Sequence, residues 1–222
     1  ESILKLDPKH TQAKNNMGVV LNKQGRVEEA ERFYKEALQE NPQYSKAAVN
    51  LGQVYKQKGA YNHAIDNLLS LLKKNPDNID ARLLLAEVYV STEHFLEASE
   101  NLSFVLEKDP NNVKGLAVSG LLYQRTNKPD KALSYYTKAL ELAPKDLEIR
   151  MQLASFYLEG ERMSKALEEV QKALSFSPRD YDARVFLGTL YMKNLDPSSA
   201  ITVFESLHTD LPENEKIISL LL

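Results

Sequence analysis

The sequence contains no cysteine, no long apolar run and no excess of basic residues. The absence of cysteine excludes disulfide bonds, thiolate metal sites and cysteine nucleophiles. No stretch is apolar over the length that crosses a bilayer, so we expect no membrane insertion. The formal net charge is −3 and the pI is about 5.9. Because a nucleic-acid-binding chain should carry a basic stripe, we also expect no nucleic-acid partner.

Motifs of catalysis and cofactor binding are missing as well. The sequence has no G-x-x-x-x-G-K-S/T, no G-x-G-x-x-G and no G-x-S-x-G. No two histidines share a helix face at the spacing of metal ligands. We therefore predict no catalytic residue, no metal site and no cofactor, and a chain that is not an enzyme. The four histidines are His10, His63, His94 and His208.

What the sequence does contain is a proline that recurs every 34 residues. Proline fixes φ and donates no backbone hydrogen bond, so each of these residues is expected to follow the end of a helix. A helix end that recurs at a constant period indicates a repeat protein. The seven prolines are Pro8, Pro42, Pro76, Pro110, Pro144, Pro178 and Pro212.

Residue types are nearly fixed down the columns of this repeat. With position 1 set three residues after each proline, position 8 is glycine or alanine, position 11 is tyrosine in five units and position 20 is always alanine. Positions 4, 7, 8 and 11 share one helix face, and positions 17, 20, 21, 24, 27 and 28 share another. Each unit is therefore predicted to be two antiparallel helices, A and B. The six units are 11–44, 45–78, 79–112, 113–146, 147–180 and 181–214, with 1–10 expected to end a preceding repeat and 215–222 to begin a seventh or a capping helix.

The predicted turn between helices A and B differs among the repeats. Gly25 and Gly59 occupy position 15, where a left-handed backbone costs glycine little, but Glu93, Glu161 and Leu195 stand there in other units. A residue other than glycine implies a strained turn or a different geometry. Since a glycine lies one residue earlier in the fifth unit, we expect a different geometry in that unit.

The pattern resembles the tetratricopeptide repeat, or TPR, which has 34 residues, proline at position 32 and small or aromatic residues at the fixed positions. The resemblance implies an all-α fold, a right-handed α-solenoid superhelix of antiparallel helix pairs, as a single array over residues 1–222. Its A helices would line a concave groove. Position 4 departs from the family, because basic residues replace a bulky aromatic one in four units: Lys14, Arg82, Arg150 and Arg184.

The resemblance also implies a protein–protein interaction scaffold that binds a peptide or partner segment in the groove. The groove positions are 2, 5, 6, 9, 12 and 13; they are polar to basic in the first two units and partly apolar from the third onward. A contiguous exposed apolar strip with a charged rim marks an interaction surface. The predicted partner-binding residues are Asn16, Lys46, Asn50, Leu84, Val118, Leu121, Gln152 and Phe186.

Other interpretations of these columns remain open. Apolar residues at positions 5 and 9 are also consistent with packing between neighbouring A helices, so position 6, with Leu84, Val118 and Phe186, carries the prediction of an apolar strip. The amides of Asn16 and Asn50 can bond a peptide backbone through both donor and acceptor groups, or can be ordinary polar surface.

Two other functions are compatible with the sequence. The chain could be the recruiting arm of a larger enzyme, for example a glycosyltransferase, with the catalytic domain outside residues 1–222. It could also self-associate through uncapped apolar terminal helices. The protein or peptide partner is not identified by the sequence. We expect a soluble chain and favour the cytoplasm, although a chain without cysteine suits either side of a membrane.

Overall fold

The computed structural model describes residues 7, 9–214 and 219, so most of the predicted terminal partial repeats, and Pro8, lie outside the described residues. Helices and short turns make up residues 9–214, and no strand occurs in that range. The predicted all-α repeat architecture is therefore confirmed. The helices are α1 (Thr11–Lys23), α2 (Val27–Glu40), α3 (Ser45–Gln57), α4 (Tyr61–Lys74), α5 (Ile79–Ser91), α6 (Phe95–Lys108), α7 (Val113–Arg125), α8 (Pro129–Leu142), α9 (Leu147–Glu159), α10 (Met163–Phe176), α11 (Tyr181–Lys193) and α12 (Pro197–Asp210).

The chain divides into two compact units, one ending at Thr126 and the other beginning at Asn127. The first unit holds α1 to α7 and the second holds α8 to α12. In the first, α1 pairs with α2, α3 with α4 and α5 with α6, and each pair contacts the next. In the second, α9 pairs with α10 and α11 with α12.

Each A helix begins at the first residue of a predicted repeat, and a side chain one residue earlier caps it in most repeats. In α5, for example, the Asn78 side chain accepts a hydrogen bond from the Ala81 backbone N–H at 2.8 Å. Such a cap satisfies one of the backbone donors that the first helical turn leaves without an intrahelical partner. The residues at position 34 that cap in this way are His10, Asn78, Asn112, Asp146 and Asp180.

In the repeats that lie within a single compact unit, the core lies where helix A packs against helix B. The alanine at position 20 is fully buried in all six repeats, and the residue at position 24 is fully or almost fully buried in each. Position 8 is small because position 24 packs directly on it. A Cβ atom added to Gly18 would lie 2.6 Å from Tyr34 Cε1, and one added to Gly188 would lie 2.4 Å from Phe204 Cε1.

The basic residues at position 4 join helix A to helix B of the same repeat. Arg150 donates to Glu169 across the α9–α10 pair, with both side chains largely buried. Arg184 contacts Asp210 at 2.6 Å, and Lys14 contacts Glu40 at 3.2 Å. In these repeats a charged pair therefore occupies the place of the aromatic residue that the family resemblance implies at position 4.

The A–B turns share one backbone geometry at position 15. Gly25 and Gly59 have φ of 75° and 70°, and the residues that replace glycine have φ between 54° and 63°. Gly160 has φ of −85°, so the different turn geometry expected for the fifth repeat was wrong. The turn length is constant, and it imposes the left-handed conformation whatever side chain is present. The residues other than glycine in this conformation are Glu93, Asn127, Glu161 and Leu195.

Leu195 is therefore expected to be a strained position. The left-handed conformation costs a residue other than glycine about 1–2 kcal/mol, so replacing leucine with glycine removes this strain. Part of the stabilisation is lost again, because glycine gives the unfolded chain more conformational freedom. The Leu195 side chain is 90% exposed, so its removal sacrifices little packing. We expect Leu195→Gly to raise the free energy of unfolding by about 1 kcal/mol, measured by urea denaturation. Gly59→Leu, the reverse change at the equivalent turn, should lower it; a destabilised Leu195→Gly would contradict this account.

Candidate functional site

Four A helices form a continuous surface in the first unit. Helix α1 contacts α3, α3 contacts α5, and α5 contacts α7. Three of the predicted binding residues, Asn16, Lys46 and Asn50, lie on this surface. We call it the A face, and define it by the polar side chains that it carries: Asn15, Asn16, Lys46, Asn50, Lys56, Glu87 and Lys114.

Three asparagines connect the first two A helices. The Nδ2 of Asn50 on α3 donates to the Oδ1 of Asn15 on α1 at 2.9 Å. Asn15 is buried, and its own Nδ2 lies 3.5 Å from the Oδ1 of Asn16, which is exposed. Within the described part of the chain, the Nδ2 of Asn16 and the Oδ1 of Asn50 have no hydrogen-bond partner. One donor and one acceptor therefore remain available on neighbouring amides.

A charged cluster connects the next three A helices. The Glu87 carboxylate on α5 contacts Lys56 on α3 and, at 2.7 Å, Lys114 on α7. The Glu87 side chain is largely buried, whereas that of Lys114 is mostly exposed. Because one carboxylate neutralises two ammonium groups only in part, the cluster keeps a net positive charge. Lys46, which is exposed and forms no ion pair among the described residues, adds to it.

The predicted apolar strip is not exposed in the first unit. Leu84 is 3% exposed and Val118 is 7% exposed, and both belong to one core cluster with Leu122. Helices α5 and α7 contact each other, so position 6 of each helix is covered by its neighbour. The prediction that Leu84 and Val118 form an exposed binding strip was therefore wrong. Leu121 is half-buried and packs against the same cluster.

The remaining two predicted residues belong to the second unit. Gln152 is half-buried, and its Nε2 lies 3.4 Å from the Glu148 carboxylate, while its Oε1 is buried and unpaired. Phe186 is half-buried and packs against the cluster that contains Ala154 and Leu187. Phe186 therefore contributes to packing within its own unit rather than to an open strip.

Sequence reasoning missed Asn15 and Glu87, the two residues that organise the A face. It gave weight to position 6, whereas these residues occupy positions 5 and 9. A signal was present, because Asn15 and Asn50 are 35 residues apart and Lys56 and Glu87 are 31 apart. Complementary side chains separated by nearly one repeat are neighbours on adjacent A helices.

The part of the chain that the structure describes holds neither a cluster of metal-binding side chains nor a membrane-spanning helix. Residues 9–214 contain no group of three or more histidine, aspartate or glutamate side chains placed to hold a metal ion. None of the described helices combines the length and the apolar character needed to span a membrane.

Three repeat models match the chain, and the matched segments together cover more than half of it. Tetratricopeptide repeat models match residues 11–44 and 125–175, and a TPR repeat model matches residues 52–92. The chain belongs to the tetratricopeptide repeat family. TPR folds are interaction scaffolds that generally have no catalytic role, so proteins or peptides are the partner class that the fold implies.

Solved TPR structures resemble the chain over most of its length. TTC0263, a thermophilic TPR protein from Thermus thermophilus, is 28% identical with a TM-score of 0.77, covering 82% of this chain and 99% of its own. A TPR protein from Parabacteroides merdae is 18% identical with a TM-score of 0.81, covering 99% and 87%. YrrB, a TPR protein with an unusual peptide-binding site, is 24% identical with a TM-score of 0.55, covering 82% and 94%. No curated protein matches this TPR chain.

Proposed function

We propose that this TPR protein is a non-catalytic scaffold that binds an extended segment of a partner protein across the A face of its first unit. The observation that supports the proposal is the pair of amides, Asn16 and Asn50, that leave a donor and an acceptor unused on neighbouring helices. An extended peptide presents N–H and C=O groups in alternation. A primary amide can bond both kinds of group, which suits it to a peptide backbone.

The hydrogen bond between Asn50 and Asn15 should help such binding. It joins α3 to α1 at 2.9 Å and holds the Asn50 side chain in one orientation before any ligand arrives. Immobilising a side chain on binding costs about 0.5–1.5 kcal/mol. Because Asn50 is already held, most of that cost does not arise when the ligand binds.

The charge of the A face suggests what the partner segment carries. Lys46 is exposed, and Lys56 and Lys114 share a single carboxylate, Glu87. A segment with acidic side chains would complement this surface. Charge complementarity of this kind speeds association and weakens as salt screens it, over about 8 Å at physiological ionic strength.

The likeness to YrrB supports a peptide as the class of ligand, since that TPR protein has an unusual peptide-binding site. The support is an analogy of fold, because a shared fold does not fix the residues that bind. The contacts of Asn15, Asn16 and Asn50 carry the argument for this chain.

The proposal can be tested with linear peptides selected from a displayed library on this protein. We expect Asn16→Ala to weaken the selected peptide about tenfold, a loss of ~1.4 kcal/mol, measured by fluorescence anisotropy. Asn16 is exposed, so the variant should melt as the parent protein does. Methylation of the peptide backbone nitrogens should weaken binding further, because the backbone is the group that the amides contact.

Gln39→Ala is the matched control, because it removes an exposed amide from helix B of the first repeat, away from the A face. It should leave the affinity unchanged. If the selected peptides bind the Asn16→Ala and Asn50→Ala variants as tightly as the parent, the A face is not the peptide site.

A further inference from the structure

A cleft of about 370 Å³ lies between α4, α5 and α6 in the first unit. Its lining includes none of the residues of the A face. The apolar part consists of Leu69, Leu72, Leu85 and the ring of Tyr89, and two carboxylates, Glu97 and Glu100, face the same space. Apolar walls with a few polar groups are the usual composition of a ligand site.

The two carboxylates are not neutralised by the chain. Glu97 and Glu100 lie three residues apart on α6, so their side chains share one face of the helix. In the part of the chain described, neither forms an ion pair, and the Tyr89 hydroxyl has no hydrogen-bond partner. Burial, followed by the charges of Glu97 and Glu100, raises the pKa of Tyr89, which is consistent with an uncompensated negative field in the cleft.

The cationic side chains that line the cleft do not pair with Glu97 or Glu100. Arg82 lines the cleft, but its Nε donates to the Pro76 carbonyl at 2.9 Å and its Nη1 to Asn101 at 3.3 Å. Its guanidinium carbon lies 3.9 Å from the centre of the Phe104 ring, so the guanidinium group packs on that ring. Lys73 also lines the cleft, but it is exposed and contacts neither carboxylate within ion-pair distance.

The equivalent tyrosines of other repeats contact a polar side chain that the Tyr89 cleft lacks. There, Lys35 at position 25 places its Nζ 5.7 Å from the centre of the Tyr55 ring at position 11 of the next repeat. At the Tyr89 cleft, position 25 is Leu69 instead of lysine. In the second unit, Gln171 at position 25 reaches the Tyr191 hydroxyl at 3.4 Å. The residue at position 25 is therefore polar beside Tyr55 and Tyr191, but apolar beside Tyr89.

We propose that the Tyr89 cleft binds the side chain of an arginine from a partner protein. The guanidinium group lies between Glu97 and Glu100, and the aliphatic stem packs on Leu69 and Tyr89. Two carboxylates one helical turn apart match the planar donor fork of arginine better than the point charge of lysine. A guanidinium group also packs favourably on an aromatic ring. This site does not depend on peptide binding at the A face.

The test uses the complete 222-residue chain labelled with nitrogen-15. The probes are Nα-acetyl-arginine amide and Nα-acetyl-citrulline amide, which is nearly the same shape without the charge. We expect the arginine probe to shift the backbone signals of Leu69, Tyr89, Glu97 and Glu100 in a saturable way, and the citrulline probe to shift none. Equal effects of the two probes, shifts that lie elsewhere, or no saturable shift would overturn the proposal.

Two variants of the cleft make the assignment specific. Leu69→Lys copies Lys35 of the preceding repeat, and Leu69 is exposed enough to accept the change. The new lysine should occupy the cleft and weaken arginine binding at least tenfold. Glu97→Gln combined with Glu100→Gln should weaken it by a similar factor, because both charges are removed while the shape is kept.

Glu107→Gln is the matched control, since Glu107 is exposed on the same helix and does not line the cleft. It should bind the arginine probe as the parent does. Lys73→Gln should bind it at least as tightly as the parent, because it removes a competing cation. Parent-like affinity in Leu69→Lys, or an equal loss in Glu107→Gln, would overturn the proposal.

Discussion

Replacing Glu169 with alanine is expected to destabilise the second unit by about 3 kcal/mol. The Glu169 carboxylate receives a hydrogen bond from Arg150 on the neighbouring helix, and each side chain is only 11% exposed. Removing the acid leaves the guanidinium group of Arg150 buried without a counter-charge. Loss of one partner from a buried pair costs about 3–5 kcal/mol, and the remaining exposure places this pair at the lower end.

Glu168→Ala provides the matched control. Glu168 is the adjacent residue and pairs with the same Lys172, at 2.6 Å, that contacts Glu169 at 3.0 Å. Its side chain is 60% exposed, however, so we expect a much smaller loss than in Glu169→Ala, because solvent screens an exposed ion pair. Urea denaturation followed by circular dichroism measures both variants, and the midpoint and slope are compared because repeat proteins need not unfold in one step. Equal losses in the two variants would contradict the role given to burial.

The double variant Arg150→Met with Glu169→Leu separates charge from packing. When both members of a buried pair become apolar, the desolvation cost disappears with the attraction, and the result is often neutral or stabilising. We therefore expect the double variant to recover most of the stability that Glu169→Ala loses. A double variant as unstable as the single one would show that Arg150 stabilises the repeat through its contacts with the Pro144 carbonyl instead.

Gly188→Ala is expected to lower the free energy of unfolding by about 2 kcal/mol, even though alanine favours a helix over glycine by ~1 kcal/mol. The new Cβ atom would lie 2.4 Å from Cε1 and 2.5 Å from Cζ of Phe204, whose ring is buried. The ring cannot move aside without disturbing the core of the last repeat. Gly52→Ala is the control, because its closest neighbour is the flexible end of Leu68 at 3.1 Å.

A second substitution should relieve the clash. The chain already uses alanine at position 8 where position 24 is smaller, as in the fifth repeat with Ala154 and Val170. We expect Gly188→Ala combined with Phe204→Val to be less destabilising than the sum of the two single changes by at least about 1 kcal/mol. Additive losses in the urea experiment would mean that position 24 does not control position 8.

Much of the fold could be predicted from the sequence because each repeat solves the same packing problem. The proline period located the helix ends, and the alanine column located the contact between helices A and B. The conformation of Leu195 could not be predicted from its residue type, since leucine rarely has a positive φ. The constant turn length imposes a positive φ at position 15 in every repeat. The backbone is strained at Leu195 because leucine, unlike glycine, disfavours that φ.

The site was less predictable than the fold. Whether Leu84 and Val118 are exposed depends on how closely α5 and α7 approach, and that distance is not encoded in either helix alone. The link between Asn15 and Asn50 likewise joins side chains of two repeats. The residue type at one position of every repeat describes what a single repeat contains, whereas the A face is built by contacts between neighbouring repeats of the first unit.

The charged residues at position 4 affect how the protein responds to warming. Lys14, Arg150 and Arg184 hold helix A to helix B through carboxylates, where an aromatic residue would do so by apolar contact. The cost of removing charged groups from water falls as temperature rises, whereas the gain from apolar contact levels off. The contacts between helices A and B in these repeats should therefore keep more of their stabilising free energy at high temperature than contacts made by an aromatic residue would.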